Sequence, residues 1–77
     1  MTTAQALLKH FRHRPDDYLT LDDACRVVKR YGVCPTRKNV RRVLRCEPWF
    51  VSHLILAGGH LAPAWTLVSH CPPELLP

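Results

Sequence analysis

The sequence predicts an α+β fold in which three helices precede a small antiparallel sheet formed by a hairpin. Two observations support this prediction. Apolar residues recur at helical spacing in three separate segments of the first part of the chain. Two segments rich in aromatic and branched residues follow, on either side of a glycine pair. A length of 77 residues with 47% hydrophobic content suffices for one domain with a single core.

The first helix is predicted from Thr3 to His13. One apolar stripe runs along it at spacings i, i+3, i+4 and i+7, and it consists of Ala4, Leu7, Leu8 and Phe11. The polar residues Lys9, His10, Arg12 and His13 lie off this stripe and are expected at the surface. Pro15, followed by two aspartates, interrupts the helical pattern and indicates a loop.

The second helix is predicted to begin after a short strand at Tyr18–Thr20. Thr20, followed three residues later by Asp23, is the pattern of a capping box. The helical stripe consists of Leu21, Ala24, Cys25, Val28 and Tyr31. Gly32 is expected to end the helix, because glycine adopts the left-handed conformation without steric cost.

The third helix is predicted to open at Cys34-Pro35, with proline at its first helical position. Val40, Val43 and Leu44 form a narrow stripe directed toward the core. Glu47-Pro48 then ends the helix. Including residues from the other elements, the predicted core consists of Leu7, Leu8, Phe11, Leu21, Ala24, Val28, Val40, Val43, Leu44 and Trp65.

The hairpin is predicted from a strand at Trp49–Leu56, a loop at Ala57–His60 and a strand at Ala64–Val68. Pro63 indicates an edge or a bulge where the second strand begins. The apolar residues Leu54, Ile55, Leu56 and Leu61 are expected to form ordinary hairpin core. The alternative is an exposed apolar patch through which a second copy of the chain or another protein binds.

Positive charge is concentrated in one part of the chain. Eight of the eleven Lys and Arg residues lie between Arg26 and Arg45, and no Asp or Glu interrupts them. The other residues include three basic and six acidic side chains. With a net charge of +5, this segregation is typical of a surface that binds phosphate groups. We therefore expect a nucleic-acid partner.

The order of these elements resembles the winged helix-turn-helix domain. The resemblance covers Ala4 to Val68 and depends on the helix opening Leu21-Asp22-Asp23-Ala24, the turn Gly32-Val33-Cys34-Pro35, the helix segment Val40-Arg41-Arg42-Val43-Leu44 and the two hairpin strands. It implies a three-helix fold with a small antiparallel hairpin wing. It also implies that the third helix enters the major groove of double-stranded DNA.

The resemblance assigns the DNA contacts to basic residues of the third helix, namely Arg37, Lys38, Arg41, Arg42 and Arg45. Arg30, a basic residue of the second helix, is also predicted to contact DNA. Arg37, Arg41 and Arg45 repeat every four residues and form one row, which we call the arginine row. Asn39 is a further candidate, although it lies closer to the inward stripe. We expect a role in regulating transcription or recombination.

The sequence is also compatible with a protein-binding function. The chain could instead be a winged-helix interaction module, such as a phage or viral accessory protein that inhibits a host complex. In that case the basic face would bind an acidic or nucleic-acid-binding protein. RNA binding is a weaker alternative, because most of the aromatic residues needed for stacking are expected in the core.

Other classes of function find little support in the sequence. No nucleophile with an orienting base, no phosphate-binding glycine loop and no recognisable zinc spacing is present, so we expect neither an enzyme nor a cofactor. A zinc site of His10, His13, Cys46, His70 and Cys71 lacks any standard ligand spacing. The lack of a signal-peptide pattern favours an intracellular protein of the cytoplasm or nucleus, without membrane partners, in which the four cysteines are expected to be reduced. The domain is predicted over 1–70, followed by a proline-rich tail at 71–77.

Overall fold

The structure is a computed structural model that describes residues 1–69, 71–72 and 74. It has the predicted α+β class, with three helices and a small three-stranded antiparallel sheet. The elements in chain order are α1 (Thr3–His13), β1 (Leu19–Thr20), α2 (Leu21–Arg30), α3 (Arg37–Cys46), β2 (Phe50–Ala57) and β3 (His60–Leu67). The strands are ordered β1-β3-β2, so the short strand β1 joins the hairpin on the side of β3.

Both ends of α2 follow from local sequence. The Thr20 hydroxyl accepts a hydrogen bond from the Asp23 amide, and the Asp23 carboxylate accepts one from the Thr20 amide. This confirms the predicted capping box. At the other end, Gly32 has φ +80°, its amide donates to Lys29, and the Val33 amide donates to Val28. These two bonds are those of a Schellman motif, which confirms Gly32 as the helix stop.

The start of α3 differs from the prediction. Thr36 is the N-cap, and its hydroxyl accepts a hydrogen bond from the Asn39 amide at 3.3 Å. The helix therefore begins at Arg37, and Pro35 lies before the cap instead of at the first helical position. The reason is that a threonine hydroxyl satisfies a free amide of the first turn, whereas a proline only tolerates the lack of one.

The hairpin is longer than predicted. Its strands pair from Phe50 opposite Leu67 to Ala57 opposite His60, with Gly58 and Gly59 as a two-residue turn. Both glycines have positive φ, +58° and +82°, as a type I′ turn requires. Pro63 lies within β3 opposite Leu54, with no bulge in the register. β1 pairs only with Ala64 and Trp65, so no described residue forms a strand beside Pro63 on that side of β3.

The core lies between the helices and one face of the sheet. Nine of the ten predicted core residues are buried. The tenth, Val43, is partly buried and packs against the core. Ala6, Val27, Leu19 and Phe50 belong to the same cluster but are not in the predicted set. Ala4 is only half-buried, while Ala6 and His10 are buried. The buried face of α1 is thus wider than a single stripe, because α1 contacts α2, α3 and β3.

His10 contradicts the expectation that it lies at the surface. It is 7% exposed, and its Nε2 lies 2.7 Å from the Asp17 Oδ2. Its ring also meets Phe11 edge-on at a centroid distance of 5.6 Å. A polar partner from the following loop allows an imidazole to be buried beside the core. His10 therefore has a structural role in joining α1 to that loop.

The predicted tail at 71–77 lies partly outside the described residues. Cys71 itself packs against the core cluster, and its amide donates a hydrogen bond to the Val68 carbonyl. His70, which belongs to the discounted zinc set, is not among the described residues. Within the described part of the chain, no helix combines the length and the apolar character needed to cross a bilayer.

Candidate nucleic-acid interface

The outward face of α3 carries the candidate contacts. Val40 and Leu44 bury the opposite face of the helix in the core, at 0% and 1% exposure. Helical periodicity then directs the intervening basic residues to solvent. All five candidates on this helix are exposed: Arg37, Lys38, Arg41, Arg42 and Arg45. The structure thus brings together on one surface the positive charge that the sequence concentrates in α3.

Arg37 is not a free cation. Its guanidinium donates a hydrogen bond to the carboxylate of Asp22, in the first turn of α2. This bond and the negative charge of Asp22 raise the pKa of Arg37 further above its usual range. Both side chains are mainly exposed, so the pair contributes little to stability. Its main effect is to reduce the positive potential at the start of α3.

Arg42 belongs to a hydrogen-bonded chain that ends in α1. The Arg42 guanidinium donates to the Asn39 side-chain oxygen at 2.8 Å, and the Asn39 amide nitrogen donates to the Thr3 hydroxyl at 3.2 Å. Asn39 is partly buried, which agrees with its predicted position near the inward stripe. The amide is therefore occupied in holding α3 against α1, and Arg42 is held in one orientation.

Lys38, Arg41 and Arg45 differ from these two residues. Among the residues that the structure describes, none accepts a hydrogen bond from their side chains or forms an ion pair with them. Arg41 and Arg45 are one turn apart, where like charges repel each other. No described residue thus neutralises their charges, which are available to an external anion.

A cleft of about 600 Å³ runs between the arginine row and the hairpin. All three members of the row line it on the side of α3. Ser52, Ala62, Pro63 and Trp65 line it on the side of the sheet, and Asp22 lies at the start of α2. Leu44 and Phe50 close its floor with apolar surface. The cleft is therefore a basic trough with one acidic residue in its wall.

Arg30 is separated from this surface. It lines a second, smaller cleft of about 320 Å³ together with His10, Arg14, Asp17 and Arg26. No residue of α3 lines that cleft. Arg26 in turn forms an ion pair with Asp23 at 3.2 Å. The structure therefore groups the five α3 candidates and places Arg30 in a different site.

The hairpin corrects the expectation that its leucines form ordinary core. Leu54, Leu56 and Leu61 are 70%, 74% and 69% exposed. The register places Leu56 opposite Leu61 and Leu54 opposite Pro63, so all four share one face of the hairpin. We call these four residues the apolar patch. They are exposed because the hairpin extends beyond the helices that cover Phe50 and Trp65 on the same face.

Asp22 is the site residue that sequence reasoning missed. The sequence pattern indicated only a place for it in the first turn of α2, where the helix dipole favours an acidic side chain. Its contact with Arg37 spans 15 positions of the chain and depends on how α2 packs on α3. The segregation of charge in the sequence offered no signal for it.

Comparison with known proteins finds no family model that matches the chain, no matching curated protein and no matching solved structure.

Proposed function

We propose that the chain is a winged helix-turn-helix protein that binds double-stranded DNA through the exposed face of α3. The observation that supports the proposal most strongly is the set of unneutralised cations at Lys38, Arg41 and Arg45, beside a trough open to solvent. Like charges at this spacing destabilise a helix by about 0.2–0.5 kcal/mol per pair unless an anion compensates the repulsion. The phosphate groups of DNA supply such an anion at regular intervals.

The position of these cations on the helix supports the same proposal. The first turn of α3 contains Arg37 and Lys38 and no acidic residue. Cations are disfavoured there, because the N-terminal end of a helix carries partial positive charge. Asp22 compensates Arg37, but Lys38 has no such partner among the described residues. A phosphate near this end would be attracted by both the helix and the side chain.

The proposed docking mode has two parts. α3 enters the major groove, where Arg41 and Arg45 reach phosphates or the acceptor atoms of guanine. Arg42, held by Asn39 at 2.8 Å, is oriented beside them and contacts the backbone. The hairpin has no Lys, Arg, Asp or Glu, so in this mode it makes no ion pairs with the duplex. Regulation of transcription or recombination is the biological setting we propose.

Salt dependence of DNA binding tests the proposal directly. We assume that each of four cations neutralises one phosphate; they are Lys38, Arg41, Arg42 and Arg45. The affinity for a random-sequence duplex should then fall about 100-fold between roughly 50 and 200 mM salt. Fluorescence anisotropy of labelled duplex at both concentrations measures this change.

If the chain is instead a protein-interaction module, the opposite result is expected in this experiment. An interaction module for an acidic protein would bind random duplex weakly, with no sharp dependence on the four α3 cations. Absence of binding at the lower salt concentration would reject the DNA-binding proposal and favour that module.

A further inference from the structure

We infer that two copies of this chain associate through the free edge of β2, forming a continuous six-stranded antiparallel sheet. β2 is the outermost strand, because the order is β1-β3-β2. Of the described residues, only those of β3 pair with it. The Phe50 amide donates to the Glu47 carbonyl, but no described residue bonds to the outward amides and carbonyls farther along the strand, which are therefore open to a further strand. This inference goes beyond the proposed DNA binding and does not depend on it.

The edge of β2 has none of the usual features that prevent strand pairing. Proteins protect such edges with charged residues, prolines or bulges. Phe50–Ala57 contains no Lys, Arg, Asp, Glu or Pro, and its register with β3 is continuous from end to end. The free side of β3, in contrast, carries Pro63 and is partly covered by β1. Only one of the two edges is thus open to pairing.

Hydrogen-bond alternation identifies the outward groups of β2. The pair that closes a two-residue turn, Ala57 with His60, is hydrogen-bonded, and the pairs alternate from there. Leu54 opposite Pro63 is then a pair without ladder bonds, which agrees with the lack of an amide hydrogen on proline. The amides of Leu54 and Leu56 therefore point away from β3, toward the open edge.

Charge favours a second copy as the occupant of this edge. The protein has a net charge of +5, so two copies repel each other through most orientations. No Lys, Arg, Asp or Glu occurs from Pro48 to Pro73, a segment that includes the whole hairpin. Approach through β2 therefore brings uncharged surfaces together and keeps the α3 faces of the two copies apart from the contact.

The apolar patch is self-complementary in a two-fold arrangement. When the axis passes through Ile55, Leu54 lies opposite Leu56 of the partner subunit and exchanges backbone hydrogen bonds with it. Leu61 lies beside Leu56 on the same face, so the two patches become continuous. Because this axis is perpendicular to the sheet, both α3 helices lie on the same side of the six-stranded sheet. Binding of the two helices to two half-sites of one duplex would need this arrangement.

Sedimentation equilibrium across the micromolar range tests the dimer. We expect a concentration-dependent monomer–dimer equilibrium, since an interface of one strand and a small patch is at the low end of stable contacts. Leu54→Pro removes one outward amide without breaking a bond to β3, and should weaken the dimer at least about tenfold. Leu54→Lys introduces a charge and should do the same, whereas Ser69→Lys adds that charge at an exposed turn and should not.

Circular dichroism tests whether each variant is folded. If Leu54→Pro does not fold, Leu54→Lys decides the outcome. A chain that stays monomeric throughout the range would overturn the inference. A dimer that survives in the folded Leu54 variants would also overturn it, because association would then use another surface.

Disulfide trapping tests the register in a background with Cys34→Ser and Cys46→Ser. Ile55→Cys places two thiols at the symmetry axis, in a pair whose Cβ atoms are close enough to form a disulfide. We expect rapid formation of a covalent dimer on oxidation. His53→Cys is the matched control on the same strand, because it would lie opposite Ala57 of the partner subunit and should crosslink slowly. Equal crosslinking of both variants would contradict pairing about Ile55.

Discussion

The Asp22 carboxylate at the start of α2 accepts a hydrogen bond from the Arg37 guanidinium at the start of α3. This pair lies at one end of the trough beside the α3 face that we propose as the DNA-binding surface. It therefore divides the arginine row into Arg37, which has a partner, and Arg41 and Arg45, which have none in the part of the chain that the structure describes. The contact also places a negative charge where a phosphate would have to approach.

Asp22→Asn should strengthen DNA binding. The substitution removes a charge that repels phosphate, and it weakens the contact that competes for Arg37, because an amide oxygen accepts a weaker hydrogen bond from a guanidinium than a carboxylate does. We expect the slope of log affinity against log salt to become steeper by about one unit. Asp16→Asn makes the same change in charge in an exposed loop and serves as the control. An equal gain in affinity in both variants would show that only net charge matters.

Leu44→Ala should destabilise the fold by about 2–5 kcal/mol, from lost transfer free energy and the cavity left behind. Leu44 is 1% exposed and joins α3 to the sheet through the core. Denaturant unfolding of dilute protein measures the change in the free energy of unfolding. Leu61→Ala, at a leucine that is 69% exposed, is the matched control and should cost far less. Similar losses at the two positions would refute the assignment of the inward stripe.

Asn39→Ala should cost about 1–3 kcal/mol of stability, because it leaves the buried Thr3 hydroxyl without its donor. Thermal or denaturant unfolding of Asn39→Ala, Thr3→Val and the double variant forms a double-mutant cycle. The hydrogen bond predicts that the double variant loses less stability than the sum of the single variants. Strict additivity would show that the side chains do not interact.

The four cysteines should differ in their rates of alkylation. Cys34 and Cys46 are exposed, whereas Cys71 packs against the core. Burial, together with the negative charge of Glu74, raises the pKa of the Cys71 thiol. A raised pKa means less thiolate near neutral pH, so Cys71 should react more slowly with iodoacetamide than Cys34 and Cys46. Mass spectrometry of a time course locates each modification, and fastest reaction at Cys71 would contradict its packing.

Local patterns in the sequence predicted most of the fold. The helix α1 from Thr3 to His13, the capping box at Thr20 and the stop at Gly32 depend on residues within a few positions of each other. The start of α3 was misplaced because Pro35 and Thr36 are both compatible with a helix start, and only the cap geometry separates them.

Features that depend on tertiary packing could not be predicted in this way. Periodicity placed the basic residues of α3 on the outward face, but it contained no information on which of them an acidic residue neutralises. The burial of His10 required Asp17 from the next loop, and the exposure of Leu54 depends on how far the hairpin extends past the helices. Each of these outcomes is set by contacts between elements.

A control for alanine substitutions on α3 should remove a charge from another helix without changing packing. Arg12 meets this requirement and Lys9 does not, although both are basic residues of α1. The Lys9 ammonium lies 5.4 Å from the centroid of the Tyr31 ring, so removing it would alter packing as well as charge. Arg12 is exposed on α1 and forms no ion pair with any described residue. The variants Arg41→Ala and Arg12→Ala therefore remove the same charge from two exposed helix surfaces.

The salt dependence of duplex binding by these two variants tests the central claim most directly. A phosphate contact by Arg41 predicts that Arg41→Ala flattens the slope of log affinity against log salt by about one unit, for every sequence. A guanine contact predicts instead a loss of about 1–3 kcal/mol on the preferred site with relaxed specificity. Arg12→Ala should leave both quantities nearly unchanged. Equal effects of Arg41→Ala and Arg12→Ala would contradict a specific role for α3 and leave only a diffuse positive surface.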